Sequence, residues 1–210
     1  MDLTLNVTHD TTTVLMTTRI RGPRVAFWPS SMPNCGSNTS RCSIAIVPHL
    51  TTMLPAMLPL MCAKTLTQLT ITNRSGRVDE VMDLSQVAEL AQWKSLRGLH
   101  LDGCRPDTLS RLRQFSNSYA LYKNMSAPDD IVSLKEALRN EPLFNECTLY
   151  DYGRIWNKYK RAMSPRNSND RFLYFLTTTS EFVLRVEFTH ILQFKRIPRS
   201  SLTHDDVVMD

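Results

Sequence analysis

The chain has 210 residues, enough for one sizeable core or for a core with a tail. An apolar content of 42% and a mean hydropathy of -0.25 are ordinary for a globular chain and exclude one built mainly of membrane spans. A net charge of +5 permits a nucleic-acid or acidic partner without demanding one, and only 6 Gly weigh against a glycine-rich phosphate loop.

Residues 1–40 read as an irregular N-terminal region. Gly22, Pro23, Pro29, Pro33 and Gly36 punctuate them, and Ser and Asn cluster from Ser30 to Ser40. The first residues lack the charged-then-apolar pattern of a secretory signal. They are Thr-rich, carry Arg19, Arg21 and Arg24, and hold only Asp2 and Asp10 as acids before Asp79. That suits an organellar transit peptide or, as the expectation taken here, a loosely ordered tail. From Cys42 to Ala63 no residue carries a formal charge, a length that could span a bilayer. Pro48, Pro55 and Pro59 argue instead for a buried strand followed by a broken helix.

The middle of the chain alternates short apolar runs with helical periodicity. Ile44 to Val47 form a first run, and Leu50, Met53, Leu54, Met57, Leu58 and Met61 recur at helical spacing after it. Leu66, Leu69 and Ile71 form a second. Val78, Val81, Met82, Leu84, Val87 and Leu90 then predict a helix, with Asp79, Glu80 and Asp83 in its first turns. Leu96, Leu99 and Leu101 form a third run, after which Asp107 is placed to cap a helix through Leu109, Leu112 and Phe115.

The segment from Leu96 to Cys104 reads L-x-x-L-x-L-x-x-C and resembles the core of the leucine-rich repeat family, in the version with Cys at the asparagine position. Leu66 to Asn73 resembles the same core, with Arg74 at that position and Asn73 one place early. The Ile44/Ile46 run lacks the leading leucine, Arg41 standing there, and Phe144 to Leu149 is a fourth match. Ile46, Ile71 and Leu101 lie 25 and 30 residues apart, against periods of about 20–29 in helix-bearing repeats, and the step of 48 to Leu149 needs an insertion. The resemblance covers about Ser43 to Phe115. It implies an α/β fold: a short leucine-rich-repeat-like strand–helix array over 41–120 with an additional C-terminal α+β segment. It also implies a concave partner-binding face lined by Thr70, Thr72, His100 and Asp102. A generic α/β domain whose strands happen to read LxL is the alternative.

The segment 121–198 reads as C-terminal helices and a β-hairpin. Asp129 and Asp130 open an amphipathic helix through Ile131, Leu134, Ala137 and Leu138, ended by Pro142. Tyr150 to Met163 predicts another. Phe172–Leu176 and Phe182–Phe188 read as paired strands around Thr177–Ser180; in the second, Phe182, Leu184, Val186 and Phe188 alternate with Val183, Arg185, Glu187 and Thr189. Residues 199–210 read as a disordered tail.

Little in the sequence nominates chemistry. No G-x-S-x-G, P-loop or G-x-G-x-x-G is present, and the 5 His form no H-x-x-x-H pair. The 5 Cys are odd in number, scattered and without a C-x-x-C pair, so neither zinc nor a disulfide framework is expected and a reducing, intracellular compartment is the simpler inference. Cytoplasm or nucleus is favoured, with the mitochondrion as the alternative. Four N-x-S/T sequons, at Asn6, Asn38, Asn73 and Asn124, arise readily by chance in a chain this rich in Ser and Thr. Arg154, Lys158 and Arg161 share a helical face with Trp156 nearby, an arrangement that suits contact with phosphate or an acidic protein partner. The expectation is a non-catalytic, basic protein-binding scaffold or adaptor, with no cofactor and no small-molecule substrate. The alternative is a nucleic-acid-associated subunit of a ribonucleoprotein particle.

Overall fold

The computed structural model describes residues 2–9, 12–19, 40–46, 54–55, 58–61, 63–64, 66–73, 80–122, 127–151, 156–164, 171–189, 191–204, 206 and 208–209. The first strands, β1 (Asp2–His9) and β2 (Thr12–Arg19), form an antiparallel hairpin, and β1 also pairs with β3 (Ser40–Ile46). This departs from the irregular region expected over 1–40. Thr, Leu and Val dominate both segments, and residues of this kind favour a pleated ladder over a turn.

From β3 the sheet advances by parallel pairing. It proceeds through β4 (Leu66–Asn73), β6 (Gly98–Asp102), β8 (Asn117–Tyr122) and β9 (Glu146–Asp151), in chain order. Parallel neighbours need long crossovers. The second crossover carries β5 (Glu80–Met82) and two short helices, α1 (Ser85–Ala88) and α2 (Ala91–Ser95). The third carries β7 (Cys104–Pro106), which pairs with β5, and a 3-10 segment, Leu109–Gln114. The fourth carries the 12-residue helix α3 (Pro128–Arg139). After α4 (Trp156–Met163) the sheet continues antiparallel through β12 (Leu192–Pro198), β11 (Phe182–Phe188) and β10 (Phe172–Leu176), with β13 (Val208–Met209) parallel to β10. Among the described residues this makes an eleven-stranded sheet, ordered β13-β10-β11-β12-β9-β8-β6-β4-β3-β1-β2.

The core lies between the crossovers and one face of this sheet. Leu69, Leu99, Ser118, Cys147, Phe194, Val186 and Leu173 stand opposite one another strand by strand, as do Ile71, Leu101, Ala120, Leu149 and Leu192; all are buried. Trp93, Leu109, Leu112, Phe115, Ile131 and Leu134 from the crossovers join the same cluster. Helix α3 starts as the sequence predicts. The Ala127 N–H donates to the Asp130 carboxylate (3.2 Å), and the Asp130 N–H donates to the Ala127 carbonyl (3.0 Å).

The mixed α/β class holds, but the leucine-rich-repeat-like array is corrected. The crossovers differ in kind, one using a lone long helix and others short strands and turns, so no unit repeats. The L-x-x-L-x-L spacing reflects only that each strand buries one face. Within the helix predicted from Val78 to Ala91, whose residues 78 and 79 lie outside the described residues, the chain from Glu80 is instead a strand and two short helices: Met82 and Leu84 are buried while Val81 is exposed. The pairing of β5 with β7 overrides the helical spacing, and the Asp107 N–H locks it by donating to the Met82 carbonyl (2.8 Å). Asp107 therefore caps no helix at Leu109. Its carboxylate accepts the Leu84 N–H (3.3 Å) and pairs with Arg111 (3.2 Å). Of the helix expected from Tyr150 to Met163, Trp156–Met163 is helical, whereas Tyr150 and Asp151 belong to β9. The C-terminal segment expected to be disordered from Arg199 carries a 3-10 turn and β13. There the Asp206 carboxylate accepts the Thr203 N–H and hydroxyl (2.7 and 2.9 Å). No helix among the described residues is long and apolar enough to cross a membrane. Within the uncharged stretch, residues 42–46 are in β3 and Leu58–Leu60 form a 3-10 turn.

Leu101 is fully buried in the middle of the parallel strands. Leu101→Ala should cost about 2–5 kcal/mol in urea unfolding, whereas Thr72→Ala, on the opposite face, should stay within about 0.5 kcal/mol of the parent. Equal stability of the Leu101 variant and the parent would refute this placement of the core.

Candidate functional site

The residues between the buried positions make the other face of the sheet. In register, Thr70 of β4 stands beside His100 of β6, His100 beside Tyr119 of β8, and Tyr119 beside Thr148 of β9. Thr72 stands beside Asp102. The strands thus bring Thr70, Thr72, His100 and Asp102 together as the alternation predicts, each only partly buried. The His100 and Tyr119 rings stack, with centroids 4.4 Å apart and planes at 21°.

A shallow groove of about 290 Å³ runs beside this stack. It exists because Gly98 has no side chain where its neighbours in register are Gln68 and Asn117. A Cβ at Gly98 would come within 3.1 Å of Gln68 Cγ. One end of the groove is a fixed polar cluster. Asn145 Nδ2 donates to Asn117 Oδ1 (2.9 Å), and Gln193 Nε2 and Thr148 Oγ1 donate to Glu146 Oε1 (2.9 and 3.4 Å), with Lys195 Nζ 3.8 Å from the same carboxylate. Tyr119, Asn117 and Glu146 were not anticipated from the sequence. The signal was present in Asn117–Tyr122, where Ser118 and Ala120 alternate with larger residues, but small buried residues do not read as a core strand.

Burial pulls the His100 imidazole below its ordinary value of 6.5, against the opposing pull of the Asp102 carboxylate, so the ring is neutral at pH 7. Cys104 and Cys147 are buried and in no disulfide, and burial pushes Cys147 up to about 12, which keeps it protonated and inert. Among the described residues no group of three His, Cys, Asp or Glu is placed to hold a metal ion.

The second predicted surface is assembled only in part. Arg154 lies outside the described residues, as does the side chain of Trp156, the first residue of α4. Lys158 is half-buried with its ammonium over the Tyr159 ring (4.7 Å), and Arg161 is exposed on the same helix. Tyr159 itself is fully buried, so this end of the helix packs on the core.

Two measurements check these assignments. Native protein treated with iodoacetamide should leave Cys104 and Cys147 unlabelled in a peptide map, and both should label after unfolding. The His100 ring should titrate by NMR with a midpoint below 6.5. Because folding favours its neutral form, its contribution to stability is full above pH 6.5 and declines as pH falls through 6.5 toward the lowered native value. His100→Gln should remove that decline.

The family model of the FTH domain matches residues 43–166, from within β3 to just past α4. No curated protein and no solved structure matches the chain. The match overturns the leucine-rich repeat resemblance: the strands that suggested it, Leu66–Asn73 and Leu96–Cys104, fall inside the FTH segment. With more than half of its residues in that match, the chain belongs to the FTH domain family.

Proposed function

We propose that this protein is a non-catalytic adaptor that docks a protein partner on the face of its parallel strands opposite the core, which no described element covers, centred on Thr70, His100, Asp102 and Tyr119. The FTH domain is a protein-interaction-type domain. The observation that carries the reading is the state of that face. Parallel sheets are usually covered on both sides, yet here His100, Tyr119 and Thr70 border an open groove. The stacked rings offer a rigid amphipathic surface at little entropic cost, as hot-spot residues do. Gln68, Thr70 and Asn117 add hydrogen-bonding groups for register. Thr72 and Asp102 extend the same surface along the strands. The side chains lining the groove include no activated nucleophile, which supports a binding role over a catalytic one. Inert buried thiols suit a reducing compartment inside the cell, cytoplasm or nucleus.

The test is affinity capture of the tagged chain from its native cells, with and without nuclease, alongside a His100→Ala/Tyr119→Ala variant and a control variant at exposed Gln86. A discrete set of proteins that survives nuclease, is lost with the face variant and is kept by the control supports the adaptor reading. Partners that vanish with nuclease, and that depend on Lys158 and Arg161 rather than on His100 and Tyr119, replace it with the nucleic-acid reading.

A further inference from the structure

The chain carries a net charge of +5, yet the one formally charged residue among those lining the open-face groove is an acid, Glu146. His100 beside it is neutral at pH 7. Hydrogen bonds place the Glu146 carboxylate over this face. Its Oε1 accepts from Gln193 Nε2 (2.9 Å) and from the Thr148 hydroxyl (3.4 Å), and Thr148 stands in register beside Tyr119. The other oxygen, Oε2, has the Lys195 ammonium at 3.8 Å, beyond hydrogen-bonding reach. No described residue donates to it, and it is not among the buried polar atoms that lack a partner, so it is open to solvent. The Glu146 side chain as a whole is 33% exposed.

Three features of the groove fit one kind of group. An accessible carboxylate oxygen without a donor calls for a cation that donates hydrogen bonds. The neighbouring register row supplies the Tyr119 ring, stacked on His100 at 4.4 Å, and an aromatic face attracts a planar cation. The gap at Gly98 lies two strands from Glu146, about 10 Å at ordinary strand spacing, so the groove suits a long side chain laid along it. A guanidinium meets all three conditions. It is planar, weakly hydrated and forks onto a carboxylate, whereas an ammonium is a compact, strongly hydrated point charge.

We infer that this groove takes an arginine side chain of the partner protein, its guanidinium on the Glu146 carboxylate and against the Tyr119–His100 stack. The inference rests on the docking reading above and names the chemistry of the partner. Arginine and tyrosine are the residues that most often anchor such interfaces, and anchors on the two sides tend to pair. Lys195, 41% exposed, is a weak competitor for the same carboxylate within the chain.

The test uses the full chain with Nα-acetyl-arginine amide as the probe. Binding is read from the His100 ring signals in NMR, assigned by their absence from His100→Gln. The probe should shift them saturably. Nα-acetyl-citrulline amide, nearly the same shape without the charge, and Nα-acetyl-lysine amide, the charge without the plane, should each bind about tenfold more weakly. Glu146→Gln keeps an acceptor for Gln193 and Thr148 and should weaken arginine binding about tenfold. Lys195→Gln, at an exposed position, should tighten it by up to about fivefold, and this variant decides the matter if Glu146→Gln fails to fold. The absence of a saturable shift, an equal response to citrulline or lysine, or parental affinity in both variants would overturn the inference. Adding Glu146→Gln to the affinity capture separates it from the docking reading. A partner lost with His100→Ala/Tyr119→Ala but kept at full strength by Glu146→Gln overturns the arginine site and leaves the docking face standing. A partner kept by both removes the face and the site together.

Discussion

Two rows of buried side chains, matched strand to strand, are the constraint from which the rest of the molecule follows. Leu69, Leu99, Ser118 and Cys147 form one row and Ile71, Leu101, Ala120 and Leu149 the other, and β12 extends both with Phe194 and Leu192. A slip of one residue in any strand would turn its whole apolar set to the wrong face. Register is therefore strongly specified, and every crossover must return on the side where those rows lie. The small residues Ser118 and Ala120 leave room there for crossover elements; α3 and the 3-10 segment Leu109–Gln114 pack against each other on that side.

The same constraint creates the other face. Because side chains alternate, holding Leu99 and Leu101 inside obliges His100 and Asp102 to point the opposite way. With all described crossovers gathered on one side, no described element lies over Thr70, His100 and Tyr119, and Gly98 cuts the groove between Gln68 and Asn117. The surface proposed for docking is thus a by-product of core packing. Its specificity resides in the side chains that packing leaves free to vary.

Legibility in the sequence was uneven for physical reasons. The strands β4 and β6 were readable because each buries alternate residues, β11 because its run of apolar and β-branched residues is strand-like even though it buries both Val183 and Leu184, and the start of α3 because Pro128, Asp129 and Asp130 give local signals. Thr70, Thr72, His100 and Asp102 were put on one face by the leucine-rich repeat resemblance, and they share a face because the strands alternate. β8 was not readable, since Ser118 and Ala120 are buried without being large apolar residues, and Tyr119 and Asn117 went unnoticed with it. β5 was masked by apolar residues at helical spacing, a pattern that pairing with β7 overrides. Nothing in a sequence shows that the Trp93 indole N–H lacks a hydrogen-bond partner among the described residues.

Family membership exposes a further ambiguity. The L-x-x-L-x-L spacing at Leu96–Leu101 is common to any one-sided parallel strand, so it resembled a repeat family to which the chain does not belong. The sequence by itself determined which side chains are apolar and how they alternate, and hence the mixed α/β class and the direction in which His100 and Thr70 point, because these depend on local periodicity. The tertiary structure alone decided which strands are neighbours, that Tyr119 stacks on His100, and that Glu146 shares a groove with Gly98. Those contacts join residues distant in the chain, and only the register of the whole sheet brings them together.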